Sequence, residues 1–231
     1  MKGLRAYPAE FLDVPACFNP AQQPPDAEEL DKALATRKKF LFPKDHLPYM
    51  VDMVRVLRLL KNASVYIEIG TYDKGNLAYA SELLAADAHI IDVEINDHPD
   101  RRELLKKHIK PTQRLTSIIG DSTAQSTIEK VQQVLGGQLA DGIFIDGNHI
   151  AEVVIADYAY YSPIVKPGGF IFFHDVYWNG DDKYYGVARA MAEIDRLAPV
   201  YVVLMQHPVH RFLPWLSKGD TIWGGVGMIQ R

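Results

Sequence analysis

The feature that most constrains this chain is an alternation. Short apolar runs rich in β-branched residues recur from residue 64 onward, and stretches with helical spacing separate the first six of them. The runs are 64–70 (SVYIEIG), 89–95 (HIIDVEI), 115–120 (LTSIIG), 141–146 (DGIFID), 168–176 (GGFIFFHDV), 200–206 (VYVVLMQ) and 221–230 (TIWGGVGMIQ). Helical patterns occupy 48–61, 75–87, 99–109, 124–137, 151–165 and 186–198. Strands almost free of charge and joined by helices are the pattern of a parallel sheet covered on both faces. The expected fold is α/β: a doubly wound, mostly parallel seven-stranded sheet with helices on both faces. The last connection, 207–220, carries no clear helix, so the seventh strand is expected to return antiparallel beside the sixth.

Ahead of this pattern the chain changes character. Residues 1–45 contain Pro8, Pro15, Pro20, Pro24, Pro25 and Pro43, a density that breaks regular structure. One helix is expected near 26–39, with an acidic start and a basic end. The division expected is an arm or lid over 1–45 and a single ligand-binding domain over 46–231. At 231 residues, 48% hydrophobic, the chain suffices for one large core. A net charge of −4 and the lack of a long basic block argue against a nucleic-acid partner, and the short run Arg37-Lys38-Lys39 reads as a solvated helix face. A single cysteine, Cys17, leaves no intrachain disulfide and suits a reducing compartment. No secretory signal and no 18-residue apolar window stand out, so a cytoplasmic protein without a membrane partner is expected. The proline-rich arm could fold back or cross to a second copy, which leaves a homo-oligomer open.

In a doubly wound sheet, ligands bind beyond the carboxyl ends of the strands. Each of the first five strands brings acid there: Glu68 before Gly70-Thr71-Tyr72-Asp73-Lys74-Gly75, Asp92 and Glu94, Asp121 before Ser122, Asp146 before Gly147-Asn148-His149, and Asp175 after His174. Gly70 and Gly75 let a turn approach a ligand and then enter a helix, without the G-x-G-x-x-G spacing of dinucleotide binders. A carboxylate inside the strand, as at Glu68, suits a cationic ligand end better than a phosphate. Glu94 ends the second strand, where an acid can accept ribose hydroxyls. Glu68 and Glu94 could also be simple ion-pair partners. Asp146 and Asp175 end neighbouring strands, and two carboxylates brought together repel unless a cation or proton lies between them.

Taken in order, EIGTYDKGN, DVEIND, GDS, DGIFIDGNH and VKPGGFIFFHDV resemble the successive motifs of class I S-adenosylmethionine-dependent methyltransferases. The nearest resemblance is to small-molecule O-methyltransferases of the catechol and caffeoyl-coenzyme A type. The macrolide and aminocoumarin sugar enzymes and the cephalosporin-hydroxylase-like group are similar too. The resemblance spans roughly residues 48–230. It implies that Glu68 and the turn with Gly70, Thr71, Tyr72 and Gly75 hold the methionine end of the cofactor, that Glu94 accepts the ribose hydroxyls, and that Asp121 and Ser122 meet the adenine. Asp121 and Ser122 also read as helix caps. It implies metal ligands at Asp146 and Asp175. The third ligand is an Asn after the second acid in catechol-type enzymes and an acid before it in the sugar type. Here those places hold Val176 and His174. Mg²⁺ is therefore in question, and His174 as ligand would admit another divalent metal such as Mn²⁺ or Zn²⁺. His149 stands where the catechol-type family carries a lysine base, and an imidazole suits that role near neutral pH. It reads equally as a cofactor or substrate contact, or a helix cap. Tyr177, Trp178, Tyr184 and Tyr185 are candidates for a substrate wall, and His46 is unassigned.

The function implied is transfer of a methyl group to a hydroxyl of a small-molecule acceptor: a sugar, a phenol or a natural-product intermediate. Two rivals follow from the residues. One is a nicotinamide-dependent oxidoreductase on the same kind of sheet. The other is a non-catalytic cofactor-binding partner protein, which would keep Glu68 and Glu94 and have no need of His149.

Overall fold

The computed structural model describes residues 5–7, 19–23, 25–40, 47–178, 186–203, 207–208 and 222–231. Cys17, His46, Tyr184, Tyr185 and most of the last connection lie outside them. Among the described residues one mixed sheet runs through the molecule. Its strands are β1 (Arg5–Tyr7), β2 (Val65–Ile69), β3 (His89–Glu94), β4 (Arg114–Ile119), β5 (Ala140–Ile145), β6 (Val165–Trp178), β7 (Tyr201–Val203), β8 (His207–Pro208) and β9 (Ile222–Gln230), in the spatial order β1-β7-β9-β6-β5-β2-β3-β4 with β8 on β9. All seven expected strands form. β9 is antiparallel to β7, as its connection implies, and enters between β7 and β6, antiparallel to both. Two short strands escaped the sequence pattern: β1 pairs parallel with β7, and β8 adds two residues to β9.

The period-2 alternation of the strands splits the interior into two cores. Tyr66, Ile90, Phe144, Phe172 and Met228 point to one face. There they meet α3 (Leu47–Leu57) and α4 (Gly75–Leu83), and Leu105 of α5 (Pro99–His108). Ile67, Ile91, Ile143, Ile171 and Ile229 point to the other, against α6 (Gln125–Leu135), α7 (Ala151–Tyr161) and α8 (Val187–Ile194). Both faces are covered, so the strands carry apolar residues at nearly every position.

From the arm come α1 (Asn19–Gln22) and α2 (Ala27–Lys39). α2 begins in a capping box, in which the Asp26 carboxylate accepts from the Glu29 N–H and the Glu29 side chain accepts from the Asp26 N–H. Ala33 of α2 and Phe40 just beyond it are buried in the same core as α3 and α4. Glu29 pairs with Arg58, and Thr36 donates to Glu82 at the end of α4.

The strand order reverses between β2 and β5. Chain order runs outward to β3 and β4 on one side and to β6 on the other. Loops leaving β2 and β5 diverge to opposite faces, and a crevice opens between them.

Candidate active site

A cleft of about 550 Å³ occupies that crevice. Its walls include Gly70 and Tyr72 after β2, Glu94 and Ile95 after β3, Asp121 and Ser122 after β4, and Asp146 and His149 after β5. Seven of the residues singled out in the sequence thus meet in one place. Glu68, Thr71, Gly75, His174 and Asp175 stand behind or beside it.

The turn after β2 is shaped by close approach. Gly70 has φ of +80°, and a Cβ there would come within 2.2 Å of the Asp146 carbonyl oxygen. Only glycine fits both demands. The turn then carries Tyr72 at φ +31° and Lys74 at φ +64° before α4 starts. A buried network holds it from below. Lys74 Nζ donates to Asp92 Oδ2 at 2.7 Å and to the Thr71 hydroxyl at 2.8 Å, and Thr71 and Ser117 both donate to Asp92. The Thr71 hydroxyl therefore faces into the protein.

Glu68 is buried beneath the turn, where it accepts from the Tyr66 hydroxyl at 2.8 Å. Burial, helped by the charges of Asp146 and Asp92, pushes its carboxyl up to about 8, although the Tyr66 bond acts the other way. Glu94 holds the cleft edge. One carboxylate oxygen accepts from the Tyr72 N–H at 2.7 Å and the other from the Ile95 N–H at 2.8 Å. The second of these oxygens also accepts from the Asn96 N–H at 3.4 Å, while the first retains acceptor capacity for a hydroxyl group. Asp121 is exposed, and its Oδ1 accepts from both the hydroxyl and the N–H of Thr123, which hold its carboxyl below the usual range.

Beside these lies a residue the sequence reading did not single out. Asp157 on α7 is fully buried next to the Ser122 side chain. Burial pushes its carboxyl up to about 7, although the nearby Ser122 side chain acts the other way. Its signal was an acid in mid-helix, among the apolar and aromatic residues that follow Glu152 in AEVVIADYAYY.

At the far end of the cleft four side chains converge. His149 Nε2 lies 3.5 Å from Asp146 Oδ1 and 3.5 Å from Asp175 Oδ2. His174 Nδ1 lies 2.8 Å from Asp146 Oδ1, and its Nε2 lies 3.4 Å from Asp175 Oδ1. Consecutive residues of a regular strand face opposite sides. His174 and Asp175 reach one cluster because β6 shifts register against β9 between His174 and Tyr177, and Asp175 sits at φ +52°. A bulge at a strand end re-aims side chains in this way. Val176 is buried in the second core, and its side chain is no part of the cluster. Burial works against the charge of Asp146, but His174 and His149 outweigh it and hold the carboxyl at about 2. Burial likewise lowers His174, while Asp146 and Asp175 outweigh that and raise it to about 9. Asn148 Oδ1 accepts from the Ile150 N–H in the turn before α7, and the helix itself has no side-chain cap. Asp146 is left to the cluster.

The donor set can be tested for a divalent ion by its edges. Ligands at about 2.1 Å in a tetrahedral site stand roughly 3.4 Å apart. The edges from His149 to the two carboxylates match this, and Asp146, His149 and His174 offer donor atoms within 4.8 Å of one another. These residues fit a metal, and imidazole donors favour a transition ion over Mg²⁺.

One part of the sequence reading needs correction. Arg37 does not lie on a solvated face. Its side chain is only 11% exposed and reaches from α2 to Asp73 and Asn76 at the turn after β2. The basic run looked polar all round, and only the packing of α2 on α4 separates Arg37 from its neighbours.

Comparison with known proteins agrees with the fold and the motifs. Residues 67–176 match the family model described as a methyltransferase domain. No curated protein matches the sequence. Among solved structures, an O-methyltransferase from Bacillus cereus in complex with SAH superposes with a TM-score of 0.56 at 18% identity, covering 90% of this chain and 92% of that one. TomG from Streptomyces achromogenes, an O-methyltransferase of tomaymycin synthesis in complex with SAM, gives 0.54 at 15% identity over 90% and 92%. MycE from the mycinamycin pathway, in complex with Mg, SAH and mycinamycin VI, gives 0.51 at 19% identity over 87% of this chain and 54% of that one. At such identities the likeness is one of fold. No helix among the described residues is long and apolar enough to cross a membrane. Residues 67–176 thus match a methyltransferase domain, in keeping with the S-adenosylmethionine-dependent enzymes that the sequence motifs resemble.

Proposed function

We propose that the enzyme transfers the methyl group of S-adenosylmethionine to a hydroxyl of a small molecule. The observation that carries this reading is the convergence of His149, Asp146 and Asp175 at one end of the cleft whose other end is lined by Glu94, Asp121 and Ser122. Along this cleft the turn from Gly70 to Gly75 and Glu68 hold the methionine end. Glu94 accepts the ribose hydroxyls, and Asp121 and Ser122 meet the adenine edge. Asp157 is buried next to Ser122 and backs that part of the wall. An acidic rim also favours the positive sulfonium over the neutral product.

His149 Nε2 receives the proton of the acceptor hydroxyl as the oxygen–methyl bond forms and the sulfur–methyl bond breaks. The carboxylates of Asp146 and Asp175 stabilise the imidazolium that results. The same four side chains, Asp146, Asp175, His174 and His149, would hold a divalent ion, which when bound lowers the pKa of a hydroxyl that coordinates it; His149 would then serve as a ligand and not as the base. The acceptor class is a hydroxylated natural product, sugar or phenol. MycE, whose structure was solved with mycinamycin VI, makes that compound a sound first member of the panel.

The test is transfer of labelled methyl across such a panel, with protein dialysed against EDTA and then supplied with Mg²⁺, Mn²⁺ or Zn²⁺. His149→Ala should lower kcat by about 10²-fold or more while S-adenosylhomocysteine still binds. Full activity in both His149→Ala and Asp146→Ala would sink the catalytic assignment. Metal content by elemental analysis should fall in Asp146→Ala and Asp175→Ala. Full turnover by metal-free protein would remove the ion from the reading.

A further inference from the structure

The turn proposed to hold the cofactor's amino-acid end is gripped from outside by a residue of the arm. Arg37, in the last turn of α2, donates from Nη1 to Asn76 Oδ1 and from Nη2 to Asp73 Oδ2 at 3.3 Å. Asp73 Oδ1 in turn accepts from the Gly75 N–H at 2.7 Å. A Cβ on Gly75 would stand 3.1 Å from Arg37 Nη1, so the helix start and the guanidinium are in direct contact. α2 is fastened ahead of this reach as well, by Thr36 and Lys32 to Glu82 and by Glu29 to Arg58.

Charge gives this contact a purpose. Glu68, Asp73, Asp92 and Asp146 crowd the turn, and the buried ammonium of Lys74 is committed to Asp92 at 2.7 Å. The guanidinium of Arg37 pairs with Asp73 and offsets its charge, while Glu68, pushed up to about 8 by burial, largely keeps its proton near neutral pH. A ligand end that carries a carboxylate as well as an ammonium is repelled by such a set of acids unless a cation stands among them.

We propose that Arg37 is a positioning residue for the amino-acid end of the cofactor, which makes docking of the arm helix α2 and cofactor binding one coupled event. The inference rests on the cleft being the S-adenosylmethionine site. It goes beyond that reading because it assigns a binding role to a segment outside the methyltransferase match, which begins at residue 67. Coupling follows from linkage. A ligand that needs the turn as Arg37 sets it also stabilises α2 in its docked place.

The test compares two ligands by calorimetry on the full chain: S-adenosylhomocysteine, and 5′-methylthioadenosine, which lacks the amino-acid end. Arg37→Gln should weaken S-adenosylhomocysteine by about tenfold or more and change 5′-methylthioadenosine by less than about twofold. Arg37→Lys should recover part of the loss. Equal losses for both ligands, or none for either, would overturn the proposal, since a merely structural role does not distinguish them. If wild-type protein binds neither ligand, it is the cofactor reading that fails, and this inference with it. Should Arg37→Gln not fold, hydrogen exchange on the wild type decides. S-adenosylhomocysteine should slow the amides of residues 33–39 and 5′-methylthioadenosine should not, and the absence of that difference overturns the coupling.

Discussion

At the scale of single residues, the site is a set of acids whose charge depends on what surrounds them. Asp146 keeps its charge because two imidazoles face it, whereas Asp157 holds its proton because burial dominates. That contrast yields a stability prediction. The folded-state pKa of Asp157 is raised from 3.8 to about 7. Above the lower value the unfolded chain gives up this proton while the folded chain keeps it, so stability falls as pH rises toward about 7 and is level beyond. Asp157→Asn removes this term. Urea unfolding should show the variant gaining on wild type from pH 4.5 to pH 8, by on the order of a few kcal/mol. An identical difference at both pH values would mean that Asp157 is ionised in the fold. In the sequence Asp121 and Ser122 were visible and Asp157 was not, because a helix acid shows its importance only once its helix is seen to face the sheet.

At the scale of elements, the turn after β2 decides the shape of the cleft. Its apolar approach, its glycine and its polar exit were all legible in EIGTYDKG. The near contact of Gly70 with the Asp146 carbonyl was not, since it joins two strands 76 residues apart. Gly70→Ala would place a Cβ on that oxygen in a backbone conformation that alanine avoids. It should cost about 2 kcal/mol or more and lower Tm by roughly 4–8 °C. It should also weaken S-adenosylhomocysteine binding, because the turn must move away from Asp146. An unchanged Tm and affinity would contradict the close approach. β6 teaches the complementary lesson. Its apolar run was plain in the sequence, yet the register shift against β9 that turns His174 and Asp175 to the same cluster depends on where β9 inserts.

At the scale of the whole molecule, the sheet supplies rigid strands, and the cleft sits where their order reverses. Ligand binding there should tie together loops from β2, β3, β4 and β5. S-adenosylhomocysteine at a hundredfold excess over its Kd should add about 2.7 kcal/mol to stability and raise Tm accordingly. NAD at the same concentration should leave Tm unchanged. The alternation of apolar runs and helical periods determined the α/β architecture by itself, because strand and helix periods are local and burial on both faces requires unbroken apolar strands. The placing of an acid at the end of each of the first five strands was legible in the same way, since parallel strands bring their carboxyl ends to one rim whatever their lateral order. Only the tertiary structure decided that β9 enters between β6 and β7, that His174 and Asp175 turn together toward Asp146 and His149, and that Arg37 leaves the arm's surface to grip the turn after β2. Those facts are contacts between segments distant in sequence, and their geometry is set by packing that no local pattern records.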